Sequence, residues 1–240
     1  MKKFLVILLI NGISLIGFTK QIQHLNQWKN CKQIKTLLNS TSENPIFQFK
    51  TQENFDSIQL KLATDFGQDF LDKNPSFPVK IPLSILKHKI LFDARITHSR
   101  GKTDSLSHCL GQPNRHLNIT LNSAGVFLIN ENFYDIDSIQ NIVSDYLQKF
   151  MLSDDYGEFS ESRIFISWTP TKPSIESLSQ TFQHICFGYI DFIQKNSDQN
   201  ICNLSKKELL KLRDLYPLTV TMVLRENMYF KEIIIFEDTN

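Results

Sequence analysis

The stretch Leu204–Thr219, LSKKELLKLRDLYPLT, runs into an alternating segment, LTVTMVLRE, that ends at Glu226. Ser205 and Glu208 stand at capping-box spacing, where the serine side chain covers the amide of the third helical residue and the glutamate reaches back to the serine N–H. A short helix therefore starts at Lys206. It stops before Pro217, because proline removes a helical donor and clashes with the preceding turn. Beyond it, Leu218, Val220, Met222 and Leu224 face one way, the period-two pattern of a strand. The chain goes directly from helix to sheet.

Working back from Leu204, the same logic yields a series of elements. Pro173 opens a helix whose apolar face carries Ile175, Leu178, Phe182, Ile185, Cys186, Tyr189, Phe192 and Ile193. IFISW (Ile164–Trp168) is short and apolar enough for a buried strand. Ser153 to Glu161 reads as a solvated loop. Before it, Ile139, Ile142, Val143, Tyr146, Leu147 and Phe150 recur at helical spacing after Asp135 and Asp137, either of which can cap. In LNITLN, Leu117, Ile119 and Leu121 alternate with polar residues, Ser123-Ala124-Gly125 turns, and VFLIN returns as a hairpin. The order from Leu117 is β-β-α-β-α-α-β. That order predicts an α+β fold, a two-layer mixed sheet with helices packed on one face. MYFKEIIIF near the end is a candidate edge strand.

Upstream the pattern is looser. Residues 21–75 read as helices with loops. Leu25, Trp28, Cys31 and Leu38 share one face, and Phe55, Ile58, Leu62, Phe66 and Phe70 share another, with the loop NSTSENP between. Pro75, Pro78 and Pro82 mark an extended entry. Ile85–Ala94 suits a strand or short helix, and Thr97–Arg115 a long exposed loop. The N-terminus, MKKFLVILLINGISLIGFTKQ, has a positive start, an apolar run from Phe4 to Phe18 and small flanking residues. This is a signal-peptide pattern, and the run is short of the ~20 residues of a spanning helix. The predicted division is a signal peptide at 1–19, a helical N-terminal region at 20–74 and an α+β domain at 75–240.

Composition narrows the function classes. Of 240 residues, 41% are hydrophobic and 21% charged, a globular balance, and the net charge of +1 offers nothing for nucleic acid. Four cysteines, Cys31, Cys109, Cys186 and Cys202, follow the leader, and an exported chain permits disulfides in three connectivities. Cys186–Cys202 is the candidate pair, worth about 3 kcal/mol in the chain-entropy model. The alternative is buried free thiols.

The residues quoted above resemble the periplasmic domain of the ExbD/TolR biopolymer-transport family, in its Bacteroidetes-type form. The matching features are the hairpin with Gly125 at its turn, the helix–strand–helix order, and Gly188-Tyr189 where those members have alanine-tyrosine. The Leu204-Ser205 box and the ending Arg213, Tyr216, Pro217 match as well. FPVKIPLS resembles the segment after the family's membrane helix, so the match spans Pro75–Glu226. The resemblance implies a non-enzymatic envelope protein of the periplasm, or a secreted one, that binds envelope or membrane proteins and can form a homodimer. It also implies binding through exposed strand edges such as Leu218–Glu226. Family members carry an acidic residue within their spanning helix for proton-driven work, and Phe4–Phe18 has none. A membrane-anchored subunit of a proton-driven transport system, contacting the membrane only if the leader is uncut, is the alternative.

No catalytic residue, metal or cofactor is assigned. His98, His108, Cys109 and His116 lie in one polar stretch and could hold zinc only if it folded back. That grouping underlies a third reading, a secreted metal-binding or hydrolytic protein. Ser84-Ile85-Leu86-Lys87 has Ser-x-x-Lys spacing without its companion motifs. Gly101-Lys102-Thr103 lacks the first glycine of a phosphate loop. Asp154, Asp155, Glu158 and Glu161 lack the ligand spacing of a calcium loop. The basic face of the Ser205 helix, Lys206, Lys207, Lys211 and Arg213, reads as solvent-facing.

Overall fold

A computed structural model describes Trp28 and residues 30–49, 54–98, 116–130, 132–151 and 164–225. The leader, His24, His108, Cys109, the acidic loop at 153–161 and MYFKEIIIF lie outside the described residues. The elements are α1 (Gln33–Leu38), α2 (Phe55–Phe66), α3 (Gln68–Lys73), β1 (Ser76–Ile85), β2 (His88–His98), β3 (Leu117–Leu121), β4 (Phe127–Ile129), β5 (Asn132–Phe133), α4 (Ser138–Met151), β6 (Ile164–Trp168), α5 (Lys172–Lys195), α6 (Lys206–Leu215) and β7 (Val220–Leu224).

The fold is α+β, built on one seven-stranded mixed sheet in the order β1-β2-β7-β6-β3-β4-β5. The central strands β2, β7, β6 and β3 are parallel. The antiparallel β1 flanks one side, and the β4-β5 meander the other. From Leu117 the main elements follow the predicted order, with short β5 and a 3-10 turn at Ile201–Asn203 added.

Period two governs the sheet. In β1, Phe77, Val79, Ile81, Leu83 and Ile85 are buried, and in β3 Leu117, Ile119 and Leu121. Ile164, Ile166 and Trp168 of β6 continue that face. The broad apolar face of α5 covers it, with Phe182 edge-to-face on Phe92 of β2, centroids 5.7 Å apart. Thr171 caps α5 through a reciprocal box with Ser174, and Ser174 Oγ also accepts the Trp168 indole N–H at 2.9 Å. Cap and core are thus one unit. Helix α4 packs along α5, joined by a buried Gln140 Nε2 to Asp191 Oδ2 bond of 2.6 Å.

Two local expectations change. Strand β7 is not an edge: it lies between β2 and β6 with all five residues buried. Val220, Met222 and Leu224 share one face as the alternation predicts, and Thr221 and Val223 on the other face are buried as well. The proline-rich entry and Ile85–Ala94 form one long hairpin, β1-β2. Its turn, Leu86-Lys87, has no glycine or asparagine, and Leu86 takes φ 54°, an uncommon conformation for a leucine.

The N-terminal region shares the core of the sheet domain. Helix α1 packs on β2 and α6. Residues 39–49 then wrap the hairpin as a strap. The Leu91 N–H donates to Asn39 Oδ1 and the Ser40 N–H to the Leu91 carbonyl. Ser40 and Ser42 hydroxyls both donate to Asp93 Oδ1, at 2.7 and 2.8 Å. At the outer edge of β1, the Lys80 N–H donates to Pro45 O and the Phe47 N–H to Lys80 O, each at 2.8 Å. Phe47 is fully buried, and Phe49 packs edge-to-face on Trp168 at 4.9 Å.

Candidate functional site

The residues carrying the family resemblance are spread along α5 and α6: Leu204 and Ser205 open α6, Tyr216 closes it against Tyr189 of α5, and Gly188 faces α4. Tyr189 Oη donates to the Tyr216 carbonyl at 2.7 Å. The Tyr216 ring packs edge-to-face on Phe192 at 5.2 Å. Ser205 and Glu208 form the expected capping box. The Ser205 bonds hold the Glu208 carboxyl below the usual range. Leu204 is buried. Arg213 is not solvent-facing as expected: it reaches to the strap, donating to Asn39 O at 2.9 Å and Thr41 Oγ1 at 3.1 Å, because the strap returns beside α6. Gly125 sits apart, at φ 80° in the β3-β4 turn, where a Cβ would meet Ser177 Oγ at 2.6 Å. Tyr189, Tyr216 and Arg213 thus make a joint that ties α6 to α5 and to the strap.

Removing the Tyr189 hydroxyl leaves the Tyr216 carbonyl without that donor. Tyr189→Phe is therefore expected to lower the unfolding free energy by about 1–3 kcal/mol, read as an earlier urea midpoint at unchanged slope. An unchanged midpoint would refute this account of the joint.

The cysteines pair differently from the Cys186–Cys202 expectation. Cys202 bonds Cys31, with Cα atoms 5.2 Å apart, and Cys186 is a buried free thiol. The reason is geometric. Cys186 faces the core in mid-helix, and the rest of α5 carries the chain roughly 14 Å onward before the turn that places Cys202 over α1. Burial pushes the Cys186 thiol far up, which makes it unreactive.

The other described chemical candidates are dispersed. His98 ends β2 and His116 precedes β3, so they stand at opposite ends of a parallel block. The register and sheet spacings separate them by about 20 Å, too far to share one ion. Ser84 is exposed on β1, and Lys87 donates to Asn30 Oδ1 across the hairpin tip. Among the described residues no cluster of metal-binding side chains occurs. His184 lies 3.8 Å from Asp137. Burial depresses its pKa below 6.5, with Asp137 opposing. A depressed base gives stability that is full above about pH 6.5 and is lost as pH falls through the folded pKa. His184→Gln should therefore narrow the gap in thermal midpoint between neutral pH and about pH 5. An unaltered gap would contradict this.

A cleft of about 480 Å³ opens between β1, α5 and the strap. Ile81 and Leu83 line it from β1, Ile175, Leu178 and Phe182 from α5, and Phe49 from the strap. Gln48, Glu176, Ser179 and Gln180 ring it with polar groups. Its volume lies in the range that holds ligands. Sequence reading missed it, because it needs both the β1-β2 hairpin and the return of the strap. The signal was the alternation Phe77, Val79, Ile81, Leu83 with prolines in the off positions, which reads as an edge strand.

Comparison with protein-family models, with curated proteins and with solved structures finds no match.

Proposed function

We propose that this is an exported protein of the cell envelope that acts by binding other proteins, with an ExbD/TolR-like periplasmic domain and no catalytic step of its own. The observation that carries this reading is the Cys31–Cys202 disulfide, which closes a separation of 171 residues. Such bonds persist in oxidising compartments and are rare elsewhere, which supports export by the leader-like N-terminus. The groups the sequence offered for chemistry serve other ends: Lys87 pins the hairpin tip, and the two described histidines of the candidate zinc stretch point to different ends of the sheet. Among the described residues no helix is long and apolar enough to cross a membrane.

The test is intact mass and cross-linking on protein taken from native envelope fractions. The expected result is a chain shortened at its leader, with Cys31 and Cys202 oxidised and with envelope proteins or a second copy cross-linked to it. Free thiols at Cys31 and Cys202 in the native protein would overturn export. An uncut chain in the membrane fraction would favour the anchored transport subunit instead.

A further inference from the structure

The outer edge of β1 is a divided strip. Odd-numbered residues of β1 turn their side chains to the core, and Lys80 shows that even-numbered residues turn their backbone groups outward. Pro78, Lys80, Pro82 and Ser84 therefore define the edge. The described residues of the strap pair only with Lys80. To continue as a parallel ladder, the Phe47 carbonyl would need the N–H of residue 82, and proline has none. On the other side Pro45 has no N–H to give Pro78. The prolines thus confine the strap to a single bridge. The strap then turns inward, and Phe49 enters the gap between β1 and α5.

Beyond that bridge the edge has no described partner. Among the described residues nothing bonds the Pro82 carbonyl or the backbone N–H and carbonyl of exposed Ser84. These groups present an acceptor, a donor and an acceptor in succession, beside the cleft walled by Ile81, Leu83, Leu178 and Phe182. Among the described residues Glu176 is the only ionisable one lining that cleft.

We propose that the Pro82–Ser84 edge and the adjoining cleft bind an extended segment of a partner protein. The segment adds as a short strand to β1, seats one large apolar side chain in the cleft beside Phe49, and carries a lysine or arginine that faces Glu176. Three observations select this occupant. The backbone pattern is complementary to a peptide main chain, which is how strand addition obtains affinity, with pockets for alternate side chains giving specificity. The strap already binds the neighbouring stretch in this mode within the chain. The Glu176 carboxylate, the one charge among the described lining residues, favours a cation and disfavours an acidic ligand. The inference rests on the binding role proposed above and names its surface.

The probe is a fluorescein-labelled synthetic heptapeptide, NPIFQFK, which copies residues 44–50 and has the required alternation and terminal lysine. Fluorescence anisotropy with the full chain, disulfide intact, is expected to show saturable binding. Ser84→Pro removes the one donor of the open edge at an exposed position where proline is tolerated. Ser179→Trp fills the cleft from its rim. Each should weaken binding by about tenfold or more. Glu176→Lys should weaken it severalfold, and so should replacing the peptide's lysine by glutamate. Two variants on different elements guard against misfolding, and each is checked by its thermal midpoint. No saturable binding, or equal binding by wild type, Ser84→Pro and Ser179→Trp, overturns the proposal. A fluorescent fatty acid that binds in a Ser179→Trp-sensitive way while the peptide does not would make the cleft a lipid site and also overturn it. Partners cross-linked equally by wild type and Ser84→Pro would sink this surface while leaving the binding role intact.

Discussion

Breaking the Cys31–Cys202 bridge is expected to lower the unfolding free energy by several kcal/mol. The chain-entropy relation, applied to a separation of 171 residues, yields about 5 kcal/mol, and native disulfides commonly contribute about 2–5. The native contacts around the bridge do not depend on it. Arg213 still holds Asn39 and Thr41, and Asp93 still accepts from Ser40 and Ser42. The reduced protein should therefore keep its fold and lose stability, because the cross-link acts on the unfolded chain. Urea unfolding with and without a thiol reductant reads the effect. Cys202→Ala should match reduced wild type and be insensitive to reductant. Cys186→Ala should retain the full reductant response, since that thiol is unpaired. A midpoint indifferent to reductant would refute the assignment.

Gly188→Ala is expected to destabilise by about 2–4 kcal/mol, against the intrinsic preference of a helix, which favours alanine over glycine by about 1 kcal/mol. A Cβ at this position would lie 2.6 Å from the Gln140 carbonyl oxygen and 2.7 Å from Val143 Cβ. Both atoms belong to α4, and the first is backbone, so no rotamer change relieves the contact. Overpacking of this kind costs about 1–3 kcal/mol. Separating the helices also strains the buried Gln140–Asp191 bond, and bonds to charged groups contribute about 1.5–3 kcal/mol. Adding Val143→Ala should recover only part of the loss, because the carbonyl remains. A neutral or stabilising result in urea unfolding would show that α4 and α5 are farther apart than described.

The second half of the fold was legible because its signals are local. The Ser205-Glu208 box, Pro173, Pro217 and the alternation in LNITL each specify an element without help from distant residues. The β1-β2 hairpin was only half legible: its strands alternate cleanly, but the turn at Leu86-Lys87 lacks the residues that normally mark one. The disulfide was missed because Cys31 and Cys202 meet only after α1 docks beside the 3-10 turn. The position of β7 was missed for a related reason. Its strand character is written in LTVTMVL, but whether a strand is central or peripheral depends on pairings across most of the chain. The cleft inherits both difficulties, since its walls are a hairpin, a helix and a strap contributed from three separate regions.

The central position of β7 has a consequence for how the molecule is made. A chain emerging from its N-terminus completes β1 and β2, then β3, β4 and β6, long before residues 220–224 appear. Until they do, the sheet exists only as two halves, each with a long unpaired margin of the kind that seeks other chains. Closing them is a late, sequence-distant event, and such pairings form slowly. In this order the early segments lack the one strand that would lock them together. The same order makes the nascent chain dependent on protection until the final strand slides between its neighbours.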